Sequence, residues 1–256
     1  MLEIFTVRLF NQERNIRVYL PNNYDGSTIK YPVLYMHDGQ NVFGREEAIG
    51  GESLELHAYL EKNNVDLIVV AIDQNTAGDE RINEYCPWRN GEFSERLLGS
   101  KSESGGKGAK YVDFIVNDLK PFIDGKYRTL EEKSFMAGIS LGGLISIYAA
   151  SCYPHIFKRA AALSPAFYRN QEKIEEMLKS TSLSHIEKLY LDCGTAEVPT
   201  NNQISELFLL SNKSVYEILK NKGMNINFSI IDGAEHHYLA FKKRVHSLIE
   251  FFISDK

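Results

Sequence analysis

The chain has 256 residues and a net charge of −5, with 43% hydrophobic and 25% charged residues. This balance excludes an intrinsically disordered chain. The lack of any large block of one charge sign excludes the electrostatic footprint of a nucleic-acid binder, and no stretch of the sequence reaches the ~20 apolar residues of a membrane span.

The length suits one domain over 1–256, because a single core grows to about 250–300 residues before chains divide. Met1 to Phe10 alternates apolar and polar residues instead of joining a basic flank to a long apolar run, so a cytoplasmic protein is expected. Cys86, Cys152 and Cys193 have the spacing of neither a zinc site nor a disulfide framework and read as free thiols.

Two alternating stretches between Leu2 and Leu20 flank Asn11-Gln12-Glu13-Arg14-Asn15, which predicts an antiparallel hairpin. Short β-branched runs then alternate with longer amphipathic segments, the pattern of a mostly parallel α/β sheet with helices on both faces. Central strands are expected at 32–36, 67–72, 134–137, 159–163, 188–192 and 227–231. Tyr111, Phe114, Ile115, Asp118, Leu119 and Phe122 follow helical spacing, with Pro121 expected to kink the helix or remove one of its hydrogen bonds. Phe241, Val245, Leu248, Ile249 and Phe252 repeat the helical signal at the end. Residues 74–110 break the rhythm, with Tyr85, Trp88 and Phe93 among Gly99, Gly105, Gly106 and Gly108. This segment reads either as a partly aromatic flap over the site or as a surface loop with buried anchors.

The most informative stretch runs from Phe135 through Gly138-Ile139-Ser140-Leu141-Gly142 into the helix-compatible Ile145 to Ala150. It has the strand, turn and helix context of a nucleophile elbow, in which Gly138 and Gly142 leave no Cβ to collide with neighbouring backbone. Ser140 would stand at a helix N-terminus, where the helix dipole favours developing negative charge. A glycine-rich turn with a capping serine is the plainer alternative, and the flanking context argues against it.

A serine hydroxyl needs a base to accept its proton. His236, in the loop 232–236 after the last expected strand, suits the order serine, acid, histidine. His237 is its competitor; His37, His57, His155 and His185 come too early, and His246 falls inside the final helix. The third member should be a carboxylate just beyond the preceding strand, where it fixes the imidazole tautomer. Asp192 is expected still within that strand and Glu197 in the loop after Gly194, so Glu197 is preferred. For the oxyanion, the backbone N–H of Leu141 is one expected donor; the second comes from His37-Asp38-Gly39-Gln40-Asn41, from Gln40 in preference to Gly39.

Assembled, these residues resemble the α/β-hydrolase family described as "Putative esterase", which includes esterase D, feruloyl and acetyl-xylan esterases, enterochelin esterases and mycolyltransferases. The resemblance spans nearly the whole chain. It is carried by Tyr35-Met36-His37-Asp38-Gly39-Gln40-Asn41, Ala137-Gly138-Ile139-Ser140-Leu141-Gly142-Gly143, Ala162-Leu163-Ser164-Pro165-Ala166-Phe167, and Gly233-Ala234-Glu235-His236 followed by Arg244. It implies an α/β-hydrolase fold, a Ser140, Glu197 and His236 triad, an acyl-enzyme intermediate, and no metal or organic cofactor. Glu197 departs from the aspartate of many members, and Phe241 stands where similar sequences often carry tryptophan.

The expected function is hydrolysis of a small carboxylic ester, such as a feruloyl or acetyl carbohydrate, a siderophore or a short-chain ester. Specificity would come from 74–110 and 164–168, with Asn41, Trp88, Phe167 and Tyr168 as pocket candidates. Acyl transfer to a sugar or other alcohol shares the first half of this chemistry. A non-catalytic binding protein on the same scaffold is the reading from another class, against which the presence of every triad member argues. Oligomeric state is not legible in the sequence.

Overall fold

In a computed structural model of the chain, which describes residues 1–26 and 28–254, the alternating segments form one eight-stranded sheet. β1 (Leu2–Leu9) and β2 (Gln12–Tyr19) pair antiparallel and leave only Phe10 and Asn11 between them. Both of these residues have positive φ, 49° and 61°, which lets a two-residue turn follow the twist of its strands. The turn is therefore tighter than the 11–15 segment expected, and Glu13, Arg14 and Asn15 belong to β2.

The other strands are β3 (Tyr31–His37), β4 (Ile68–Ile72), β5 (Thr129–Ile139), β6 (Phe157–Leu163), β7 (Lys188–Gly194) and β8 (Ile226–Ile231), in the spatial order β1-β2-β4-β3-β5-β6-β7-β8. β2 meets β4 antiparallel, and every pair from β4 to β8 is parallel. β8, expected among the central strands, is instead the edge opposite the hairpin.

The helices are α1 (Leu56–Lys62), α2 (Glu80–Tyr85), α3 (Glu92–Leu98), α4 (Gly108–Phe114), α5 (Lys120–Lys126), α6 (Leu141–Cys152), α7 (Gln171–Ser180), α8 (Asn202–Asn221), α9 (Tyr238–Lys242) and α10 (Val245–Ile253). Successive strand residues point to opposite faces, so the sheet divides two cores. Val33, Tyr35, Ile68, Val70 and Ile72 pack with Tyr111, Leu144, Leu178 and Val215 from α4, α6, α7 and α8. Leu34, Met36, Val69 and Ala71 pack on the other face with Leu56, Leu60, Leu248 and Ile249 from α1 and α10.

Pro121, expected to kink the helix or remove one of its hydrogen bonds, sits where the helix departs from regular α geometry. A π-helical turn, Ile115–Leu119, joins α4 to α5, and the proline falls in the first turn of α5. A wider turn there eases the clash between the pyrrolidine ring and the preceding carbonyls, while the absent N–H still removes one helical bond.

Residues 74–110 contain α2 and α3, each too short to leave a periodic signal. Tertiary contacts fix them. The buried Arg14 of β2 forks onto Glu84 of α2 at 2.7 and 2.9 Å and also donates to the carbonyl of Asp73 at 3.1 Å. Further along, the Trp88 N–H donates to Asn170 Oδ1 at 3.3 Å, and Asn170 Nδ2 returns a bond to the Trp88 carbonyl at 2.9 Å. Removing one partner of a buried ion pair strands the other charge, at a cost of about 3–5 kcal/mol. Arg14→Met should therefore lower the urea midpoint strongly, and Arg14→Met/Glu84→Leu should recover most of the loss. A single variant as stable as the parent would show that the fork does not anchor α2.

Candidate active site

The strand ends bring the candidate residues to one edge. In the parallel register Ile139 of β5 lies beside Leu163 of β6, Leu163 beside Asp192 of β7, and Asp192 beside Ser229 of β8. Ser140, Ser164 and Gly194 to Glu197 therefore emerge from adjacent strands, whose usual spacing is about 4.8 Å.

Ser140 links β5 to α6 with φ 58° and ψ −119°, a conformation that costs a non-glycine residue about 1–3 kcal/mol and persists only where its surroundings over-determine it. Here they do. The Ser140 N–H donates to the Leu163 carbonyl at 3.0 Å, and the Ser140 carbonyl accepts from the N–H groups of Ala166, Gly143 and Leu144 at 2.9, 3.0 and 3.1 Å. A Cβ on Gly138 would stand 2.2 Å from the Gly142 carbonyl oxygen, and one on Gly142 would press to 3.2 Å from His37 Cβ. The sequence folds this way locally because only glycine permits that approach. The Ser140 hydroxyl is partly exposed and has no hydrogen-bond partner among the described residues.

Glu197 and His236 meet directly, Glu197 Oε2 accepting from His236 Nδ1 at 2.6 Å. Glu197 is buried, while the His236 side chain keeps 29% of its surface exposed. Burial raises the Glu197 carboxyl, but the hydrogen bond and charge of His236, with donors from Ser164 and the Gly194 N–H, outweigh it and hold the group below the usual carboxylate range. Phe208 and Phe241 pack edge-on to the imidazole at 5.4 and 5.2 Å. His237 lies elsewhere: it faces Glu235, and its ring accepts from the Ala240 N–H as the cap of α9. Asp192 is within β7, as expected, and pairs with Arg244 at 2.8 Å rather than with either histidine.

The turn after β3 is also over-determined. Asp38 is left-handed at φ 58° and grips Arg81 of α2 with bonds of 2.8 and 2.9 Å. A Cβ on Gly39 would stand 2.5 Å from Asp73 Oδ1, and Asp73 is itself held by Arg17 at 2.6 Å. The Gln40 side chain bridges both backbone groups of Gln74, at 2.9 and 3.0 Å. The N–H groups of Gln40 and Leu141 have no partner among the described residues.

Of the pocket candidates, Trp88 and Tyr168 are partly exposed; Trp88 packs on Tyr148 at 5.4 Å and Tyr168 on Phe208 at 5.5 Å. Asn41 and Phe167 are sealed from solvent. Asn41 spends its amide on the carbonyls of Ile49 and Glu52, at 2.9 and 2.7 Å, so its visible role is to hold that loop. Sequence reasoning gave no individual role to Arg81, Phe208, Ser164 or Arg244, although Arg81 and Ser164 lie in the two segments expected to set specificity. Ser164 and Arg244 stood inside quoted motifs, and a polar residue closing an apolar strand before a proline was the available signal for Ser164.

No group of three or more His, Cys, Asp or Glu side chains among the described residues is arranged to hold a metal ion. No helix among them is long and apolar enough to cross a membrane.

Residues 8–249 match the family described as "Putative esterase". The chain belongs to this family. It is a carboxylic ester hydrolase, and its sheet is that of an α/β-hydrolase. The esterase is 28% identical over 244 residues to Bacillus subtilis YbbA, covering 93% of this chain and 92% of YbbA. It is 25% identical over 220 residues to the ferri-bacillibactin esterase BesA of the same organism, covering 80% of this chain and 73% of BesA. In fold it is similar to the siderophore hydrolase EstA of Aspergillus nidulans, with a TM-score of 0.77, 18% identity, and coverage of 97% and 94% of the two chains.

His37, beneath the elbow, is fully buried; its Nδ1 pairs with the Tyr111 hydroxyl at 2.8 Å, and burial lowers its pKa to about 4. Between about pH 4 and 6.5 the unfolded chain binds a proton that the folded chain refuses, so this contribution to stability rises with pH across that window. Asp192, raised by burial to about 6 against the opposing pull of Arg244, acts in the other sense: its contribution falls as pH rises from about 4 to 6. Subtracting the unfolding free energy of His37→Gln from that of the parent isolates the histidine. The difference should grow by about 3 kcal/mol from pH 4 to 6.5; a flat difference would show that His37 is not held neutral.

Proposed function

We propose that the esterase works through an acyl-enzyme on Ser140, with His236 as general base and Glu197 as the carboxylate that fixes the imidazole tautomer. The observation that carries this reading is the 2.6 Å bond from His236 Nδ1 to buried Glu197, at the sheet edge from which the strained Ser140 emerges. With Nδ1 committed to Glu197, Nε2 is left to take the Ser140 proton as the hydroxyl attacks the ester carbonyl. The imidazolium then protonates the departing alcohol, and water repeats the cycle against the acyl group. Serine and imidazole make no hydrogen bond in this conformation, as is common before substrate tightens a site. The free N–H groups of Leu141 and Gln40 are the proposed oxyanion donors, each worth about 10²–10³ in rate.

Ser140→Ala and His236→Ala should each lower kcat on p-nitrophenyl butyrate by about 10⁴–10⁶, and Ser140→Ala should abolish covalent labelling by a fluorophosphonate. Labelling that survives in Ser140→Ala would overturn the nucleophile.

For the substrate, we propose an ester of an aromatic, anionic acyl group, as in a catecholate siderophore. Partly exposed Trp88, Tyr148 and Tyr168 supply π surfaces. Arg169, with its guanidinium 5.4 Å over the Tyr168 ring, has no carboxylate partner among the described residues. The names of BesA, a ferri-bacillibactin esterase, and EstA, a siderophore hydrolase, support a siderophore ester as the class. A catecholate trilactone should exceed p-nitrophenyl acetate in kcat/KM by about a hundredfold or more, and Arg169→Met should remove most of that advantage while sparing p-nitrophenyl acetate. Methyl ferulate turned over faster than the trilactone would redirect the assignment.

A further inference from the structure

We infer that Ser164 and Arg244 are positioning residues for the Glu197 and His236 pair, with Asp192 as the buried counter-ion that keeps Arg244 in place. This rests on the triad proposed above and explains how its acid is chosen and held.

Asp192, Ser164, Glu197 and Arg244 are at most 5% exposed and form one continuous chain of contacts. Arg244 Nη1 donates to Asp192 Oδ1 and to Ser164 Oγ, both at 2.8 Å. Ser164 Oγ donates in turn to Glu197 Oε1 at 2.5 Å. The direction of the middle bond is forced. A guanidinium can only donate, so the Ser164 oxygen accepts from Arg244 and its single hydrogen is left for the carboxylate. Glu197 Oε1 also takes the Gly194 N–H at 2.6 Å, leaving Oε2 for the imidazole.

The same contacts explain why two neighbouring carboxylates do not compete for one histidine. Asp192 Oδ1 is taken by Arg244 and by the Ser164 N–H at 3.1 Å, and Oδ2 by the Tyr190 hydroxyl at 3.2 Å. Both oxygens are engaged away from the histidine. Arg244 reaches the second member as well: its guanidinium carbon lies 5.0 Å from the Phe241 ring centre, and that ring packs edge-on to His236. Ser164 is fixed to the elbow by its neighbours, since Leu163 and Ala166 bond the backbone of Ser140. Its own φ of 42° is a strained value for serine, consistent with a side chain held to one task.

The test uses Ser164→Ala, Arg244→Met/Asp192→Asn and Glu197→Gln, with p-nitrophenyl butyrate as substrate and active sites counted by fluorophosphonate titration. The double variant removes both buried charges together, so neither is stranded; Ser164→Ala leaves the Arg244–Asp192 pair intact. Losing one hydrogen bond to a charged group corresponds to about ten- to a hundredfold in rate. Both variants should lose that much kcat per titrated site while KM stays within about twofold. Besides His236, the titratable group against Glu197 is Cys193, 3.6 Å from Oε1; Arg244 stands one contact further out through Ser164, Asp192 is paired to Arg244, and Tyr190 is bonded to Asp192. With one donor fewer, Glu197 holds the imidazolium more firmly, so the acid limb of kcat/KM in Ser164→Ala should move to higher pH. A purely structural role would reduce the titratable fraction and leave the limb in place. Unchanged kcat and pH limb in both variants, beside a loss of about a hundredfold or more in Glu197→Gln, would overturn the relay and leave the triad standing. Full activity in Glu197→Gln would overturn both.

Discussion

The backbone of β5 and the first turn of α6 approach so closely that no side-chain carbon fits between them. A Cβ on Gly138 would lie 2.2 to 2.8 Å from three backbone atoms of Gly142. That approach turns the chain sharply enough to put Ser140 in its unusual conformation, and the Ser140 backbone then ties β6 and the 164–166 loop to the elbow through bonds to Leu163 and Ala166. Glu197 reaches the elbow through Ser164, and His236 through Glu197. The geometry of the edge is thus inherited from one steric limit and transmitted by hydrogen bonds over short distances.

Around this edge the protein buries charge in compensated sets. Arg14 with Glu84, Arg17 with Asp73 and Arg81 with Asp38 join the hairpin, the turn after β3 and α2. Arg244 with Asp192 does the same beneath the histidine loop. Such pairs contribute modestly to net stability, because desolvation offsets much of their attraction, but breaking one is expensive. Their value here is geometric: Arg14, Arg17 and Arg81 fork onto their carboxylates, and Arg244 reaches Asp192 and Ser164 through Nη1 alone, so each joins elements far apart in sequence.

Much of this was legible in the residues. Parallel strands buried on both faces leave near-continuous apolar runs, so β3, β4, β6 and β7 could be read within two residues of their limits; β5 begins five residues before the expected 134, because Glu131, Glu132 and Lys133 at its start are exposed and polar. Gly-x-Ser-x-Gly between an apolar strand and a helical stretch marked the elbow. Glu197 could be preferred to Asp192 because Asp192 continues the β7 run while Glu197 follows a glycine. The hairpin turn was misplaced because Glu13 and Asn15 are polar for lying on an exposed strand face, while Arg14 points inward to an anion 70 residues away. Pro121 marked a departure from α geometry, but periodicity cannot register that it takes the form of a π turn. α2 and α3 left no trace, since six or seven residues held by tertiary bonds need no amphipathic repeat. The contacts of Ser164 and Arg244 reach partners 33 and 52 residues distant, and no local pattern encodes that.

The turn that carries Gln40 is stitched to the segment beyond residue 74 twice, by the paired amide of Gln40 on the Gln74 backbone and by Asp38 on Arg81. An aromatic acyl group that nudged this segment on docking would therefore tug the same strut that holds the Gln40 N–H, the proposed oxyanion donor. Selectivity built in this way would register more in the speed of turnover than in the strength of capture, because a poorly fitting ester would meet a misaligned amide at the moment charge develops on its oxygen.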